Sequence, residues 1–280
     1  MMVFLNNRIL SLEEANLSPF DRGFLFADGV YESIRTYNKK LFRFKDHLDR
    51  LKRSLKEVRI DFKELDLLEN IIYDLIKKNN IKTETLVYLQ ITRGSAIPRT
   101  HSFPEEKISP TLFISVKEFK EDIEEQEKGV KVILQEDIRW LRCDIKSTSL
   151  LPVVLASQKA TEENAVEAIL VRDGLITEGT HTNLFAVKDE TVFTAPKSRL
   201  ILEGITRKVV LEFCEKFKID YREEFINKDD LKNFTEFFIT STTKEVTPVT
   251  AIDYWTINQG EPGKITKSLQ TVFKKVTEDF

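Results

Sequence analysis

A lysine in an apolar setting is the first residue of this sequence that could do chemistry. Lys146 follows Ile145, and an apolar run begins shortly after it at Leu150. An ammonium group in such surroundings must be solvated, paired or chemically used, because a low dielectric penalises its charge. A lysine that loses its charge is a nucleophile and can form a Schiff base. The alternative is a plain surface lysine in a chain with 32% charged residues, since buried lysines are rare.

Three further features could bind an anion such as phosphate. Gly204 and the residues after it lead into a predicted helix, and the first N–H groups of a helix have no internal partner. Residues 240–243, Thr-Ser-Thr-Thr, follow a predicted strand, where successive hydroxyls and amides can surround an anion. Arg50 lies on a predicted helix beside Asp49. Taken singly, these features are better explained as an ordinary helix start, a turn and a solvated charge.

The composition limits the class of protein. The chain has 280 residues, of which 41% are hydrophobic and 20 are Phe, so a sizeable core can form. The length favours two domains. The net charge is -3, and acidic and basic residues alternate without a basic block, so neither nucleic acid nor a membrane is an expected partner.

Cysteine and histidine usage argues against a metal site. Cys143 and Cys214 are too far apart to form a C-x-x-C pair, and the three histidines show no metal-ligand spacing. The chain contains no run of 18 apolar residues and no charged segment followed by an apolar one at its N-terminus. These features together favour a cytoplasmic protein without a bound metal.

Hydrophobic periodicity predicts the elements that would position the candidate residues. Strands are expected at 3–10 (as a hairpin), 30–37, 41–44, 85–92, 110–116, 130–135, 166–171, 182–188, 191–195, 236–241 and 246–252. Helices are expected at 46–58, 65–76, 151–163, 205–217 and 264–278. Neither half alternates strictly between strand and helix, so we predict an α+β fold.

The domain organisation follows from a polar stretch near the middle of the chain. Residues 117–128 are rich in charge and make the best candidate linker. We therefore predict a small N-terminal α/β domain at 1–118, a linker at 119–128 and a larger domain at 129–280 with a β-barrel-like core.

In their order and spacing, these segments resemble the fold-type IV pyridoxal-phosphate enzymes over nearly the whole chain. The resemblance runs from residues 21–32, Asp-Arg-Gly-Phe-Leu-Phe-Ala-Asp-Gly-Val-Tyr-Glu, to residues 240–248. The segment around Lys146 resembles the family's lysine motif, and residues 176–185 resemble its glutamate motif. The resemblance implies pyridoxal 5'-phosphate as the cofactor and a two-domain fold.

The resemblance also implies a role for individual residues. Lys146 would hold the cofactor as a Schiff base and move the proton between the substrate Cα and the cofactor. Glu178 would pair with the pyridine nitrogen and keep it protonated. The other implied cofactor-binding residues are Arg50, Ile205, Thr206 and Thr242 at the phosphate, Leu202 against the ring, and Ser241 nearby.

The segment at 93–104 is similar to the D-amino-acid aminotransferases within this family. There, an arginine and a histidine two residues apart bind the substrate α-carboxylate together with a tyrosine. The matching positions are Arg99, His101 and Tyr31. A guanidinium group can bind a carboxylate with two hydrogen bonds, and a histidine can add a donor. In the family this loop reaches the active site of the neighbouring subunit, which implies a homodimer.

The expected activity is therefore a transaminase of D-amino acids such as D-alanine and D-glutamate. The acceptor would be 2-oxoglutarate or pyruvate, in a ping-pong mechanism. Alternatives on the same scaffold are a branched-chain L-amino-acid aminotransferase and an aminodeoxychorismate lyase. A cofactor-binding protein without turnover is a further alternative, against which Lys146 and Glu178 argue.

Four features depart from the family pattern. Ala27 stands where a glycine is usual, and Ser33 replaces an apolar residue that often lines the substrate pocket. The loop at 94–99 is one residue longer than usual. Ser149 and Pro152 replace a common Asn and Gly. These departures bear on the preferred substrate side chain and on the reach of Arg99.

Overall fold

The computed structural model describes all 280 residues, which form two compact units. The first unit comprises Met1–Lys120 together with Ile145–Ser149, and the second comprises Glu121–Asp144 and Leu150–Phe280. The segment that carries Lys146 thus belongs with the N-terminal unit, although most of the chain around it does not. The predicted boundaries at 118 and 129 stay a prediction.

The first unit is built on an antiparallel sheet with three helices. The order of its six strands is β2-β1-β6-β5-β3-β4. The strands are β1 (Met2–Leu5), β2 (Arg8–Ser11), β3 (Gly29–Tyr37), β4 (Lys40–Leu41), β5 (Thr85–Thr92) and β6 (Thr111–Glu118). The helices are α1 (Arg22–Phe26), α2 (Phe44–Glu57) and α3 (Leu68–Lys78).

The two faces of this sheet have different surroundings, because successive side chains of a strand point to opposite sides. One face packs with α2 and α3 around a core that includes Val30, Ile34 and Leu51. Each fully buried aliphatic side chain of this kind contributes roughly 1.5–3 kcal/mol. The other face is half-buried and includes Tyr31 and Ser33, which lie opposite Gln90 and Tyr88 of β5.

The departure at Ala27 has a clear structural setting. Ala27 caps the C-terminus of α1 in the left-handed conformation, with φ 54°. A residue with a Cβ pays about 1–2 kcal/mol for this conformation, which glycine avoids. The N–H of Ala27 donates to the Gly23 carbonyl at 3.0 Å and that of Asp28 donates to the Arg22 carbonyl at 3.2 Å, so the turn is made despite the methyl group.

The second unit contains a nine-stranded mixed sheet and four helices. The main path of the sheet is β12-β11-β10-β13-β14-β7-β8-β9, with β15 paired to β14. The strands are β7 (Val130–Glu136), β8 (Glu167–Arg172), β9 (Leu175–Gly179), β10 (Asn183–Lys188), β11 (Thr191–Thr194), β12 (Tyr221–Glu223), β13 (Glu236–Ser241), β14 (Glu245–Ile252) and β15 (Trp255–Thr256). The helices are α4 (Ile123–Lys128), α5 (Leu151–Glu162), α6 (Ile205–Phe217) and α7 (Lys264–Glu278).

The α+β fold class predicted from the sequence is confirmed, with a curled sheet in the second unit. Within the predicted linker, Ile123–Lys128 forms the short helix α4, and the Asp122 side chain accepts a hydrogen bond from the Glu125 amide at its start. The strand predicted at 41–44 is wrong beyond Leu41, because α2 begins at Phe44. None of the helices is long and apolar enough to cross a membrane.

Candidate active site

Lys146 lies beside β3 in the first unit. The Tyr31 N–H donates to the Lys146 carbonyl at 3.0 Å, and the Lys146 N–H donates to Ser54 Oγ at 3.4 Å. The side chain is half-buried, and Nζ is 4.3 Å from the centroid of the Tyr31 ring. No carboxylate forms an ion pair with this ammonium group, which is unusual for a lysine at this depth. The structure therefore brings together the predicted Schiff-base lysine and the predicted carboxylate-binding tyrosine.

A buried acidic residue near Lys146 was not predicted from the sequence. Glu32 is 1% exposed and accepts two hydrogen bonds from Arg50, at 2.8 and 2.7 Å, and one contact from His47 Nδ1 at 2.7 Å. Burial alone would raise the pKa of Glu32, but Arg50 and His47 outweigh it and hold the pKa well below its ordinary value. Burial lowers the pKa of His47, and the positive charges of Arg50 and Lys146 lower it further.

Arg50 is thus a buried cation in a defined orientation. The predicted role of Arg50 at a phosphate stays a prediction, and its guanidinium group is already oriented by Glu32. The sequence does contain a signal for Glu32. It lies two residues from Val30 and from Ile34 on the same strand, so the three side chains share the face that is directed to the core. A carboxylate at a core position of a strand must be paired.

Arg99 and His101 lie on the exposed loop between β5 and β6. Both contact the ring of Phe26: the Arg99 guanidinium carbon is 4.4 Å from its centroid, and the His101 ring centroid is 5.4 Å away. Tyr31 has its own ring contact with Tyr88, at 5.7 Å. The structure therefore brings Arg99 and His101 together through Phe26 and places Tyr31 with Lys146.

Glu178 is a buried carboxylate on β9 of the second unit, at 4% exposure. Its Oε1 accepts a hydrogen bond from Arg139 Nη1 at 2.5 Å. Its Oε2 accepts hydrogen bonds from the Leu202 amide at 2.9 Å and from Asn183 Nδ2 at 3.1 Å. Burial raises the pKa of Glu178 to about 7, although Arg139 and the Leu202 amide oppose that rise.

Arg139 is the centre of an ion-pair chain behind Glu178. Its guanidinium group donates twice to Asp137, both times at 2.8 Å, and once to the Leu200 carbonyl at 3.2 Å. Asp137 is also paired with Arg172 at 3.0 Å. Asp137 is thus paired with two cations. Its two hydrogen bonds fix the orientation of the Arg139 guanidinium group, which donates to Glu178. The sequence did not predict this chain.

The N-terminus of α6 has the features of an anion site. Gly204 directly precedes the helix, and no side chain caps it, so the first N–H groups of α6 have no side-chain acceptor. A Cβ at Gly204 would lie 2.1 Å from Asn183 Oδ1, so only glycine fits against the amide that holds Glu178. Ile205 and Thr206 are both buried here. This 13-residue helix can therefore present N–H groups and a positive dipole end to a phosphate group.

A buried hydroxyl without a partner lies on the strand beside Asn183. Thr240 is 1% exposed, and its Oγ1 has no hydrogen-bond partner. Thr240 lies directly opposite Asn183 in the pairing of β10 and β13, so both side chains share one face of the sheet. An unsatisfied buried hydroxyl is costly. This observation fits a polar group bound on that face.

The remaining predicted cofactor residues lie on the same unit. Ser241 Oγ accepts a hydrogen bond from the Lys244 amide at 3.1 Å, and Thr242 is half-buried beside it. Leu202 is half-buried. Its carbonyl accepts a hydrogen bond from Asn183 Nδ2, and its N–H donates to Glu178. The second unit therefore gathers Glu178, Leu202 and the predicted phosphate-binding residues except Arg50.

A family model described as amino-transferase class IV matches residues 29–252. The chain belongs to this family. The D-alanine aminotransferases of Bacillus licheniformis and Staphylococcus epidermidis are 45% and 42% identical to it, with 98% of this chain and 96% of each relative aligned. Class IV aminotransferases use pyridoxal 5'-phosphate. The anion-binding helix start, the buried carboxylate and the unpaired lysine each match one part of that cofactor, which has a phosphate, a pyridine nitrogen and an aldehyde.

Solved structures show the same fold. The branched-chain amino acid aminotransferase of Escherichia coli has a TM-score of 0.91 at 25% identity, covering 99% of this chain and 94% of that chain. A branched-chain aminotransferase from Thermoproteus uzoniensis, solved with norvaline, has a TM-score of 0.87 at 24% identity, covering 100% and 95%. The fold is therefore shared with class IV aminotransferases whose sequences are more distant than the D-alanine enzymes.

Proposed function

We propose that this class IV aminotransferase moves an amino group between a D-amino acid, such as D-alanine or D-glutamate, and a 2-oxo acid such as 2-oxoglutarate or pyruvate. The observation that carries the proposal is 42–45% identity to D-alanine aminotransferases over nearly the whole chain, against 25% to the branched-chain enzyme of similar fold. The contact of Arg99 and His101 with the ring of Phe26 supports it, because it places two hydrogen-bond donors for a carboxylate on one ring.

Each functional residue has a role that its surroundings favour. Bound pyridoxal phosphate supplies an aldehyde that takes up amino groups and a ring that stabilises negative charge on Cα. Lys146 Nζ, which has no ion-pair partner beside Tyr31, would hold the cofactor covalently and would carry the proton to and from Cα. Glu178 holds a positive charge on the pyridine nitrogen. Tyr31, with Arg99 and His101 from the loop of the neighbouring subunit, would bind the α-carboxylate and so determine which hand of the substrate exposes its proton.

The phosphate group is assigned to the start of α6, to two hydroxyl groups and to one fixed cation. The amides of Ile205 and Thr206 at the start of α6, the hydroxyl groups of residues 241–242 and the Arg50 guanidinium are its proposed ligands. Glu32 balances the charge of Arg50 and fixes the orientation of its guanidinium group. The cation is therefore already oriented before the phosphate dianion binds.

A half-reaction screen tests the substrate class. The cofactor-loaded protein should convert to the pyridoxamine form with D-alanine and D-glutamate at least about tenfold faster than with L-leucine and L-glutamate, because the carboxylate donors fix one hand of the substrate. Conversion is followed by the change in cofactor absorbance in a stopped-flow instrument. Rapid conversion by the L-amino acids alone would reject the proposal and favour the branched-chain alternative.

We further infer a homodimer, and an exposed apolar surface on the second unit supports it. Leu151, Val154 and Leu155 lie at helical spacing on α5, each more than half exposed. Trp140 and Leu141, on the segment before α5, are also exposed. Isolated exposed apolar residues are ordinary, but three on one face of a helix support an interaction surface.

Charge placed in this surface should dissociate the dimer. We expect Leu155→Glu to halve the mass that light scattering measures at micromolar concentration, because an unpaired carboxylate in an apolar interface costs several kcal/mol. Thr271→Glu, at an exposed position of α7, is the matched control and should leave the mass unchanged. A wild-type protein that is a fully active monomer would contradict the inference.

We also propose that the protein acts in the cytoplasm. Cys143 and Cys214 are both free and buried, and burial raises the pKa of each thiol to about 11. This usage matches proteins of reducing compartments, where cysteines serve as packing residues. Cell fractionation with an antibody to the chain tests the location.

A further inference from the structure

The loop at 93–110, which carries Arg99 and His101, has little packing of its own. It connects β5 to β6, and Arg99 and His101 are exposed on it. Its second half borders a cavity of about 650 Å³ whose lining includes Phe103 and Lys107. A long exposed loop beside an open cavity cannot hold two side chains in one geometry by itself. Whatever contacts it from outside therefore determines where these two residues lie.

A buried arginine of α1 holds the backbone of this loop. Arg22 is 4% exposed, and its guanidinium group donates to the Thr100 carbonyl at 2.8 Å and to the His101 carbonyl at 3.4 Å. Its Nε donates to Asp28 Oδ2 at 2.9 Å. Arg93 donates to the two oxygens of Asp28 at 2.7 and 2.9 Å. Asp28 thus accepts hydrogen bonds from both guanidinium groups, and it orients Arg22 so that its two terminal nitrogens donate to the loop.

Phe26 provides the corresponding contact for the side chains. Its ring centroid is 4.4 Å from the Arg99 guanidinium carbon, 4.7 Å from that of Arg22, and 5.4 Å from the His101 ring centroid. The ring is therefore touched by both proposed carboxylate ligands and by the arginine that holds their backbone. A guanidinium group over an aromatic face is attracted to the ring quadrupole while its N–H groups stay available at the edge.

The far end of the loop is held by a similar contact. Phe103 lies 3.8 Å from the Arg93 guanidinium carbon and 5.0 Å from that of Arg59. Arg93 also donates to the carbonyls of Val58 and Arg59, at 2.7 and 2.8 Å. Phe103 therefore anchors the loop to a rigid part of the first unit, and Phe26 remains the contact nearest to Arg99 and His101.

We propose that Phe26, with Arg22 behind it, is a positioning residue that orders Arg99 and His101 for the substrate carboxylate. The proposal rests on the proposed function, since it assigns a role to the same carboxylate site. An exposed arginine loses rotamer freedom when it binds a ligand, and an aromatic face that orders it beforehand reduces that loss. Phe26 therefore contributes to affinity for the carboxylate without touching the reacting atoms.

The test measures binding of 2-oxoglutarate to the pyridoxal form by calorimetry, because that form cannot transaminate a 2-oxo acid. We expect Phe26→Leu to weaken binding about five- to tenfold, since it keeps bulk but removes the aromatic face. Phe26→Tyr keeps the face and should bind within about twofold of wild type. Phe24→Leu, at a position of α1 that is 77% exposed, is the matched control and should also be unchanged.

Three results separate positioning from a general structural role. The slow half-reaction with isopropylamine, which lacks a carboxylate, should be the same in Phe26→Leu and wild type. Cofactor absorbance and melting temperature should match those of Phe24→Leu. In combination with Arg99→Ala, Phe26→Leu should produce a smaller loss than it does alone, because only His101 then remains for Phe26 to order and residues that act through one contact are not additive.

The contrary outcomes are distinct. Fully additive effects of Phe26→Leu and Arg99→Ala, or an equal loss with isopropylamine, would overturn the positioning role of Phe26. An Arg99→Ala variant that binds 2-oxoglutarate as wild type does would instead remove Arg99 from the carboxylate site, which is a failure of the proposed function. A Phe26→Leu variant with wild-type binding, in a protein where Arg99→Ala is impaired, overturns this inference alone.

Discussion

Replacing Lys146 by alanine is expected to lower transamination by at least about 10⁴-fold, because both covalent attachment and proton transfer are lost. Nζ lies beside the Tyr31 ring, and no other lysine shares that position. The measurement is single-turnover conversion of D-alanine, followed by cofactor absorbance. In parallel, borohydride should no longer fix the cofactor to the chain, as judged by the intact mass of the denatured protein.

Two controls separate loss of the amine from loss of the fold. Lys274→Ala removes a lysine from the exposed surface of α7 and should retain wild-type activity and cofactor fixation. Methylamine added to Lys146→Ala should restore part of the activity, since it supplies the missing base in the space left by the side chain. Cofactor that borohydride still fixes to Lys146→Ala at wild-type yield would refute the assignment of Lys146.

Local patterns in the sequence were sufficient to predict most elements. The strand at 85–92 and the helix at 205–217 have the bounds predicted from alternation and helical periodicity, because both patterns are regular along their whole length. The hairpin at the N-terminus follows from Asn6 and Asn7, which both adopt positive φ. Such features depend on a few consecutive residues, so the sequence contains all the information they need.

The contacts that orient the candidate residues depend on distant parts of the chain. Arg139 meets Glu178 across 39 positions, and the Leu202 amide meets it across 24. No local pattern predicts such pairs, since strand order in the sheet decides them. Local patterns did not predict strand β9, a five-residue strand that directly follows the tight turn at Asp173 and Gly174. The helix α1 was missed because five residues are too few for periodicity.

The family resemblance supplied what local patterns could not, but only residue by residue. It predicted that Glu178 and Lys146 have functional roles. It did not predict that Arg139 donates to Glu178 or that Glu32 pairs with Arg50. Both were identifiable in principle as charges that must be buried and therefore paired. The partner of each charge depends on the tertiary structure, which brings together residues that are distant in the sequence.

Replacing Glu178 by glutamine is expected to lower kcat/KM by about 10²–10³-fold, because a neutral amide cannot hold a positive charge on the pyridine nitrogen. The substitution keeps the shape of the side chain. The amide oxygen of glutamine can still accept from the Leu202 amide and Asn183, while its NH2 group replaces the oxygen that accepts from Arg139. The cofactor should still attach to Lys146. Activity and cofactor dissociation constants are measured on the same preparations.

The dependence of cofactor affinity on pH tests the charge directly. Burial raises the pKa of Glu178 to about 7 in the cofactor-free protein. Below that pH the carboxyl is protonated and its attraction for the pyridinium is lost, so affinity should fall as pH falls, by up to about tenfold per pH unit. In Glu178→Gln this component is absent, so the ratio of wild-type to variant affinity should rise between pH 5 and 7 and then level off.

Arg139 determines where on the pH scale this change occurs. Its positive charge opposes the effect of burial on Glu178, so Arg139→Met should raise the pKa of Glu178 and move the midpoint of the affinity ratio to higher pH. In that variant Asp137 keeps Arg172 as its ion-pair partner, and Glu178 keeps its hydrogen bonds from the Leu202 amide and Asn183. Arg139→Lys restores the charge without the planar fork and should give a midpoint between the two. A midpoint that stays in place, or moves to lower pH, would mean that Arg139 does not control the charge on Glu178.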